Sequence, residues 1–320
     1  MIPLADIEAA RRRISGHVHR TAQFRSATLS ARFGTTVSLK LELLQKTGSF
    51  KPRGALNQLR VLLEQGAGTS FVGVSGGNFA QGLAYAGALL GVPTTVVMPE
   101  GTPANYVDAT RGYGATVEFA PGVAAAFARV DDLAAQGAAV AHPFDHPAMM
   151  AGNGTVGLEV VADDPDVTDV FVSVGGGGFI TGVGSAIKQL SPSTRLWAVE
   201  TAGADVLARS LAAGVPQSME PTSEARTLGS PYLSPTAFAF ATEHIEKGLV
   251  VTDEMAYDAQ LFLLERAKVL PELAAACTLA ALETEAARFG PGDHVVLVLC
   301  GGNVSAADLI RYGELFGERR

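Results

Sequence analysis

Three glycine-bearing turns and one lysine are the residues most able to do chemistry. Gly175, Gly176, Gly177 and Gly178 follow an apolar run and precede a helical pattern. Such a turn offers unpaired backbone N–H groups and the positive end of a helix dipole, which together cradle phosphate. Glycine costs about 0.5–1 kcal/mol relative to alanine in regular structure. An anion site therefore explains four in a row better than a plain tight turn. No Gly-Lys-Ser/Thr follows, which excludes a Walker loop. A dinucleotide fingerprint fits at Gly176 and Gly178, but Thr181 stands where the third glycine belongs. Glu200 ends the next apolar run 22 residues after Gly178, the place of a ribose-binding acid. A nicotinamide-dependent oxidoreductase using Gly176, Gly178 and Glu200 is thus one alternative.

Lys51 lies in Lys46-Thr47-Gly48-Ser49-Phe50-Lys51-Pro52-Arg53-Gly54, where a helix is about to begin. By itself it reads as a solvated lysine. The helix dipole, partial burial and nearby Arg53 would nevertheless favour its neutral amine, which attacks carbonyls to form a Schiff base. Ser75-Gly76-Gly77-Asn78-Phe79 is a second small-residue turn at a helix start, suited to a carboxylate. Cys300-Gly301-Gly302-Asn303 echoes its x-Gly-Gly-Asn pattern. Cys300 either fills core space or offers a weak hydrogen bond to a ring nitrogen. His142 and His146 share a segment with two prolines, so a helical metal pair is disfavoured and a loop role expected.

The elements that position these residues alternate. Residues 37–43, 70–75, 94–98, 115–119, 169–174, 195–200 and 294–300 read as strands. Residues 52–65, 80–90, 123–135 and 180–190 read as helices. This predicts an α/β architecture with parallel strands, whose ligands bind beyond the carboxyl ends of strands. All three glycine turns follow strands and so can face one crevice.

The chain has 320 residues and a net charge of −8, against a nucleic-acid or anionic-membrane binder. Apolar residues make up 48%, ample for a core. Two cysteines without a CxxC exclude zinc ribbons and disulfide scaffolds. No apolar leader or membrane span is seen, so a cytoplasmic protein is expected.

A phosphate cradle, an imine-forming lysine and an acid-anchoring loop together suggest pyridoxal phosphate chemistry. The stretch from Lys40-Leu41-Glu42 through Gln45 to Lys51 and on to Arg53-Gly54-Ala55 closely resembles a known cofactor-lysine signature. It is that of the fold-type II pyridoxal-phosphate enzymes, in the threonine/serine dehydratase and serine racemase family. The resemblance runs from about Thr21 to Asn303. It implies two open twisted α/β domains of the tryptophan synthase β type, with pyridoxal 5'-phosphate in the cleft between them. Residues 1–68 plus 149–320 would form the large cofactor-binding domain, and 69–148 a small mobile domain that closes on substrate.

By that resemblance Lys51 carries the cofactor as an internal aldimine and then removes the α-proton. Phe50 flanks the ring, Asn78 bonds the ring hydroxyl, and Gly175, Gly176, Gly177 and Gly178 take the phosphate. Cys300 faces the pyridine nitrogen, where the family usually has Ser; a neutral partner there suits β-elimination. Ser75, Gly76, Gly77, Asn78 and the backbone at Phe79 take the substrate carboxylate. Glu272 aligns with a family glutamate near the cofactor, and Asn153 stands where Gln is usual.

Departures from the family pattern are informative. Gly76 replaces the serine that acts as the racemases' opposite-face acid/base, which favours elimination. Phe79 replaces His and predicts a more apolar pocket. Val206 replaces the third group of a cation site at Glu200 and Ala204, so no metal is expected. The reading is a dehydratase (ammonia-lyase) acting on a β-hydroxy-α-amino acid such as L-threonine or L-serine. Racemisation and β-replacement are same-family alternatives. A small-molecule substrate, no nucleic-acid or membrane partner, and a homodimer by analogy complete it.

Overall fold

The computed structural model describes residues 1–317. Ten strands carry the architecture: β1 (Gln23–Arg25), β2 (Thr36–Lys40), β3 (Phe71–Val74), β4 (Thr94–Pro99), β5 (Thr116–Ala120), β6 (Ala139–Val140), β7 (Asp169–Ser173), β8 (Arg195–Thr201), β9 (Lys247–Val251) and β10 (His294–Val298). They form a six-stranded sheet, β1-β2-β10-β7-β8-β9, and a four-stranded sheet, β5-β4-β3-β6. All pairings are parallel except the edge pair β1–β2. Strands β7 and β10 are buried along their whole length, as expected of parallel strands covered on both faces.

Every strand read from the sequence exists, with ends shifted by at most a few residues. The largest shift is at β2, which stops at Lys40 and passes into a short 3-10 turn, Glu42–Leu44. Sequence periodicity missed β1, β6 and β9 and several helices, among them Pro147–Asp163 and Leu273–Thr284. These last two are apolar nearly all round, so no amphipathic stripe marks them.

The last strand in the chain, β10, sits between β2 and β7. Three segments far apart in sequence therefore leave adjacent strand ends: the one leading to Lys51, the one at Cys300 and the four-glycine loop. In the smaller sheet β3 lies between β4 and β6, which sets the Ser75 turn beside the loop after β6. Helix Lys51–Glu64 joins the halves, packing against Asn78–Leu90 on one side and Pro147–Asp163 on the other. Among the described residues no helix is long and apolar enough to cross a membrane.

Candidate active site

Lys51 is the first residue of its helix, with Pro52 in the first turn, where the missing N–H is harmless. A tight reversal delivers it. Thr47 (φ 62°) and Gly48 (φ 70°) are successive left-handed residues. The Asn303 carboxamide fills the space where a Gly48 side chain would start; a Cβ there would lie 2.4 Å from its Oδ1. The Phe50 N–H donates to the Cys300 carbonyl at 3.0 Å, and the Gly302 N–H donates to the Gly48 carbonyl at 2.9 Å. The lysine loop is thus laced to the chain leaving β10.

The Lys51 amine donates to the Pro143 carbonyl at 3.0 Å and lies 5.0 Å from the Phe50 ring centre and 5.7 Å from that of Phe79. No carboxylate forms an ion pair with it among the described residues. Burial lowers its pKa to about 8, partly opposed by Cys300 and Glu272. The expected help from Arg53 is not the cause. That guanidinium turns away and binds both oxygens of Glu42 and both of Glu159, at 2.7–2.9 Å.

Around the lysine sit three of the residues the sequence singled out. Asn78 donates to Glu272 Oε1 at 2.8 Å and accepts from Asn303 Nδ2 at 2.7 Å, which leaves one amide hydrogen uncommitted. Thr227 also donates to Glu272 Oε1, at 2.8 Å; burial raises the Glu272 pKa against these bonds. Cys300 and Cys277 are buried free thiols that share Ser173 Oγ and the Ala274 carbonyl as neighbours. Burial lifts the Cys300 pKa well above the ordinary value, so the thiol is neutral.

The four-glycine loop opens helix Gly178–Leu190, with no side-chain cap. The N–H groups of Gly175 through Ile180 find no acceptor in the protein among the described residues. Side chains have no room here: Leu228 crowds Gly175, Ala237 crowds Gly177, and Phe144 lies on the other two. A Cβ on Gly178 would meet the Phe144 carbonyl at 2.3 Å, and one on Gly176 its ring at 2.5 Å. Phe179, just past the loop, stacks on Phe50 with ring centres 3.8 Å apart. A row of free donors at an uncapped helix start, beside an unpaired amine, is a donor set that fits an aldehyde-bearing phosphate ester.

Phe79 is 2% exposed and packs into the core of the smaller sheet, with its ring centre 5.7 Å from the Lys51 amine. Its backbone N–H finds no acceptor among the described residues, whereas the Gly77 N–H is taken by Ser75 Oγ at 3.1 Å. A Cβ on Gly76 would lie 2.7 Å from Thr102 Oγ1. Glu200 serves no ribose: its two oxygens accept the N–H groups of Leu207 and Ala208, each at 2.8 Å, and burial raises it to about 8. It caps the start of helix Val206–Ala213, which removes the acid that the nicotinamide reading needed.

Sequence reasoning missed Pro143, Phe144 and Thr227 as site neighbours, and named Tyr232 only as part of residues 230–236, a stretch expected to shape the substrate pocket. Thr227 lies in a segment with little regular structure and no periodic signal. Only the two prolines around Phe144 hinted at a fixed loop.

Strand ends from two largely parallel sheets converge on a partly buried lysine with no carboxylate partner among the described residues and on a glycine anion cradle, and that arrangement defines a fold-type II pyridoxal-phosphate enzyme. The sequence profile described as "Pyridoxal-phosphate dependent enzyme" matches residues 14–301. The chain belongs to this family. It is 39% identical over 317 residues to the L-threonine ammonia-lyase of Thermotoga maritima, covering 95% of this chain and 76% of that one. It is 35% identical to the L-threo-3-hydroxyaspartate ammonia-lyase of a Pseudomonas species, covering 97% of each. Maize serine racemase superposes with a TM-score of 0.91 at 29% identity, over 99% of both chains.

Proposed function

We propose that the protein is a lyase that removes water from a β-hydroxy-α-amino acid, such as L-threonine or L-serine, to give a 2-oxo acid and ammonia. The observation that carries this is the Lys51 amine, partly buried without a carboxylate counter-ion among the described residues, its pKa lowered to about 8, beside a cradle of free N–H groups. The named activities of the ammonia-lyase relatives supply the reaction type.

When bound, the cofactor supplies an electron sink for the charge left at the substrate α-carbon. Lys51 would hold it covalently and, once displaced by substrate, take the α-proton at Nζ. Gly175, Gly176, Gly177 and Gly178 would bind the phosphate, Phe50 would flank the ring, and the spare Asn78 amide hydrogen would meet the ring hydroxyl. Cys300 would present a neutral thiol to the ring nitrogen. The free N–H groups of the Ser75–Phe79 turn would receive the substrate carboxylate, with Gly76, Gly77 and Asn78 providing the approach.

Gly76 has no side chain to deliver a proton to the opposite face, which supports elimination over racemisation. Residues 69–148 would act as the closing lobe, since β3 to β6 form a sheet with its own apolar core. A cytoplasmic homodimer, by analogy, completes the proposal; light scattering on the purified protein tests the oligomer. The activity is tested by supplying pyridoxal phosphate and measuring 2-oxo acid release from L-threonine and L-serine. Formation of an inverted enantiomer without 2-oxo acid would favour the racemase instead.

A further inference from the structure

His142 and Tyr232 are 90 residues apart in sequence, yet their polar tips meet: His142 Nε2 lies 2.8 Å from Tyr232 Oη. His142 stands on the loop after β6, one residue before the carbonyl that holds the Lys51 amine. The Tyr232 ring packs on Phe144, 5.1 Å between centres, and Phe144 in turn covers Gly176 and Gly178. The pair therefore lies between the lysine and the anion cradle.

The hydrogen-bond pattern fixes which atom holds each proton. The Asp145 N–H donates to His142 Nδ1 at 2.7 Å, and the Phe144 N–H points at the same nitrogen from 3.3 Å. An atom that accepts from backbone amides carries no proton, so the neutral ring is protonated at Nε2. Burial pushes the His142 pKa down to about 4, with the Lys51 charge also lowering it and Asp145 opposing, so the ring is neutral near pH 7. The main chain of His142 is itself clamped. The Gln58 amide, oriented to satisfy both groups, bonds His142 N and O at 3.1 Å each. Nε2–H thus donates to Tyr232 Oη. The phenol hydrogen must then point elsewhere, and no protein acceptor faces it among the described residues.

We propose that Tyr232 is a substrate-contacting residue whose hydroxyl donates a hydrogen bond to the oxygen on the substrate β-carbon, with His142 as the positioning residue that turns this donor outward. The inference rests on the elimination reading above. It names a group that would polarise the Cβ–O bond and select substrates with an acceptor there. Cofactor phosphate oxygens are the other acceptors within the same chemistry, and the test separates the two.

The experiment compares Tyr232→Phe with wild type by three measurements. The first is pyridoxal phosphate affinity, by titrating the quenching of Trp197 fluorescence. The second is steady-state kinetics on L-threonine and on β-chloro-alanine, whose chloride is a poor acceptor and leaves without a proton. The third is the nitrogen shifts of His142, by NMR on the wild-type protein. The expected result is unchanged cofactor affinity, kcat/KM on L-threonine down by roughly 10- to 100-fold, and little change on β-chloro-alanine. Nδ1 should be the unprotonated nitrogen of His142. Equal losses on both substrates, or none on L-threonine, would overturn the proposal. So would weakened cofactor affinity with normal turnover at saturating cofactor, which would assign the donor to the phosphate. If Tyr232→Phe fails to fold, a His142 ring protonated at Nδ1 in the wild type still refutes it. A wild-type protein that binds no cofactor and releases no 2-oxo acid sinks the elimination reading itself, a different outcome from any of these.

Discussion

Lys40 and Lys51 are eleven positions apart, the first fully buried and the second partly buried, and their surroundings differ in kind. Lys40 is fully buried at the end of β2. Its amine donates to Glu159 Oε2 at 2.7 Å and to the Thr21 carbonyl at 2.9 Å. Arg53 joins the same cluster, so two cations face three carboxylates, Glu42, Glu159 and Asp163. Burial alone would raise the Glu159 pKa, but Arg53 and Lys40 overcome it and hold the group ionised. Lys51 has one neutral carbonyl and two aromatic faces. A buried cation with carboxylate partners is a structural clamp, and one without them becomes an amine that titrates near neutrality. Function here follows from what was withheld from Lys51.

That contrast can be broken at several points, in decreasing order of effect. Lys51→Ala should cut 2-oxo acid production by roughly 10³-fold or more, and remove the absorbance of lysine-bound cofactor, since one nitrogen serves both roles. Its thermal stability without cofactor should hold. The lowered Lys51 pKa means the unfolded chain binds more protons than the folded one between pH 8 and 10.5. Burying this amine therefore weighs against the fold below pH 8, and that penalty fades as pH rises through this window. A variant that unfolds would show that Lys51 is a clamp as well.

Lys40→Met should do the opposite. Removing one partner of a buried ionic cluster costs about 3–5 kcal/mol, visible in urea unfolding, while turnover per folded molecule stays within a few-fold. Wild-type stability in this variant would mean that Arg53 alone satisfies Glu159.

A third expectation concerns pH. The rate at which cofactor-free protein captures pyridoxal phosphate should rise about tenfold per pH unit below pH 8 and level off above it, following the neutral fraction of Lys51. Stopped-flow absorbance measures this, and a flat profile between pH 6 and 8 contradicts a lysine titrating near 8. The smallest effect is expected from Cys300→Ser, which keeps a neutral group at the site. Turnover should change by less than about tenfold, with unchanged cofactor affinity, because neither side chain is charged there.

The residues of the cradle were legible in the sequence because four glycines in a row break a local rule, costly unless a ligand or a close contact needs them. Lys51 by itself reads as a solvated lysine, and only the resemblance of its loop to the family signature singles it out. The charged Lys40 and Glu42 read only as part of a strand and of the family signature, and their ion-pair cluster with Arg53 and Glu159 comes from the structure. Glu200 misled because spacing alone cannot distinguish a ribose-binding acid from a helix cap. Only the Leu207 and Ala208 bonds decide it.

The chain by itself determined the alternation of strands and helices and the glycine turns, since each is encoded within a dozen residues. Tertiary structure alone decided that β10 slots between β2 and β7, that Phe79 faces the core, and that His142 reaches Tyr232. These are contacts between distant segments. They are set by which apolar faces bury one another, and no local pattern records that choice.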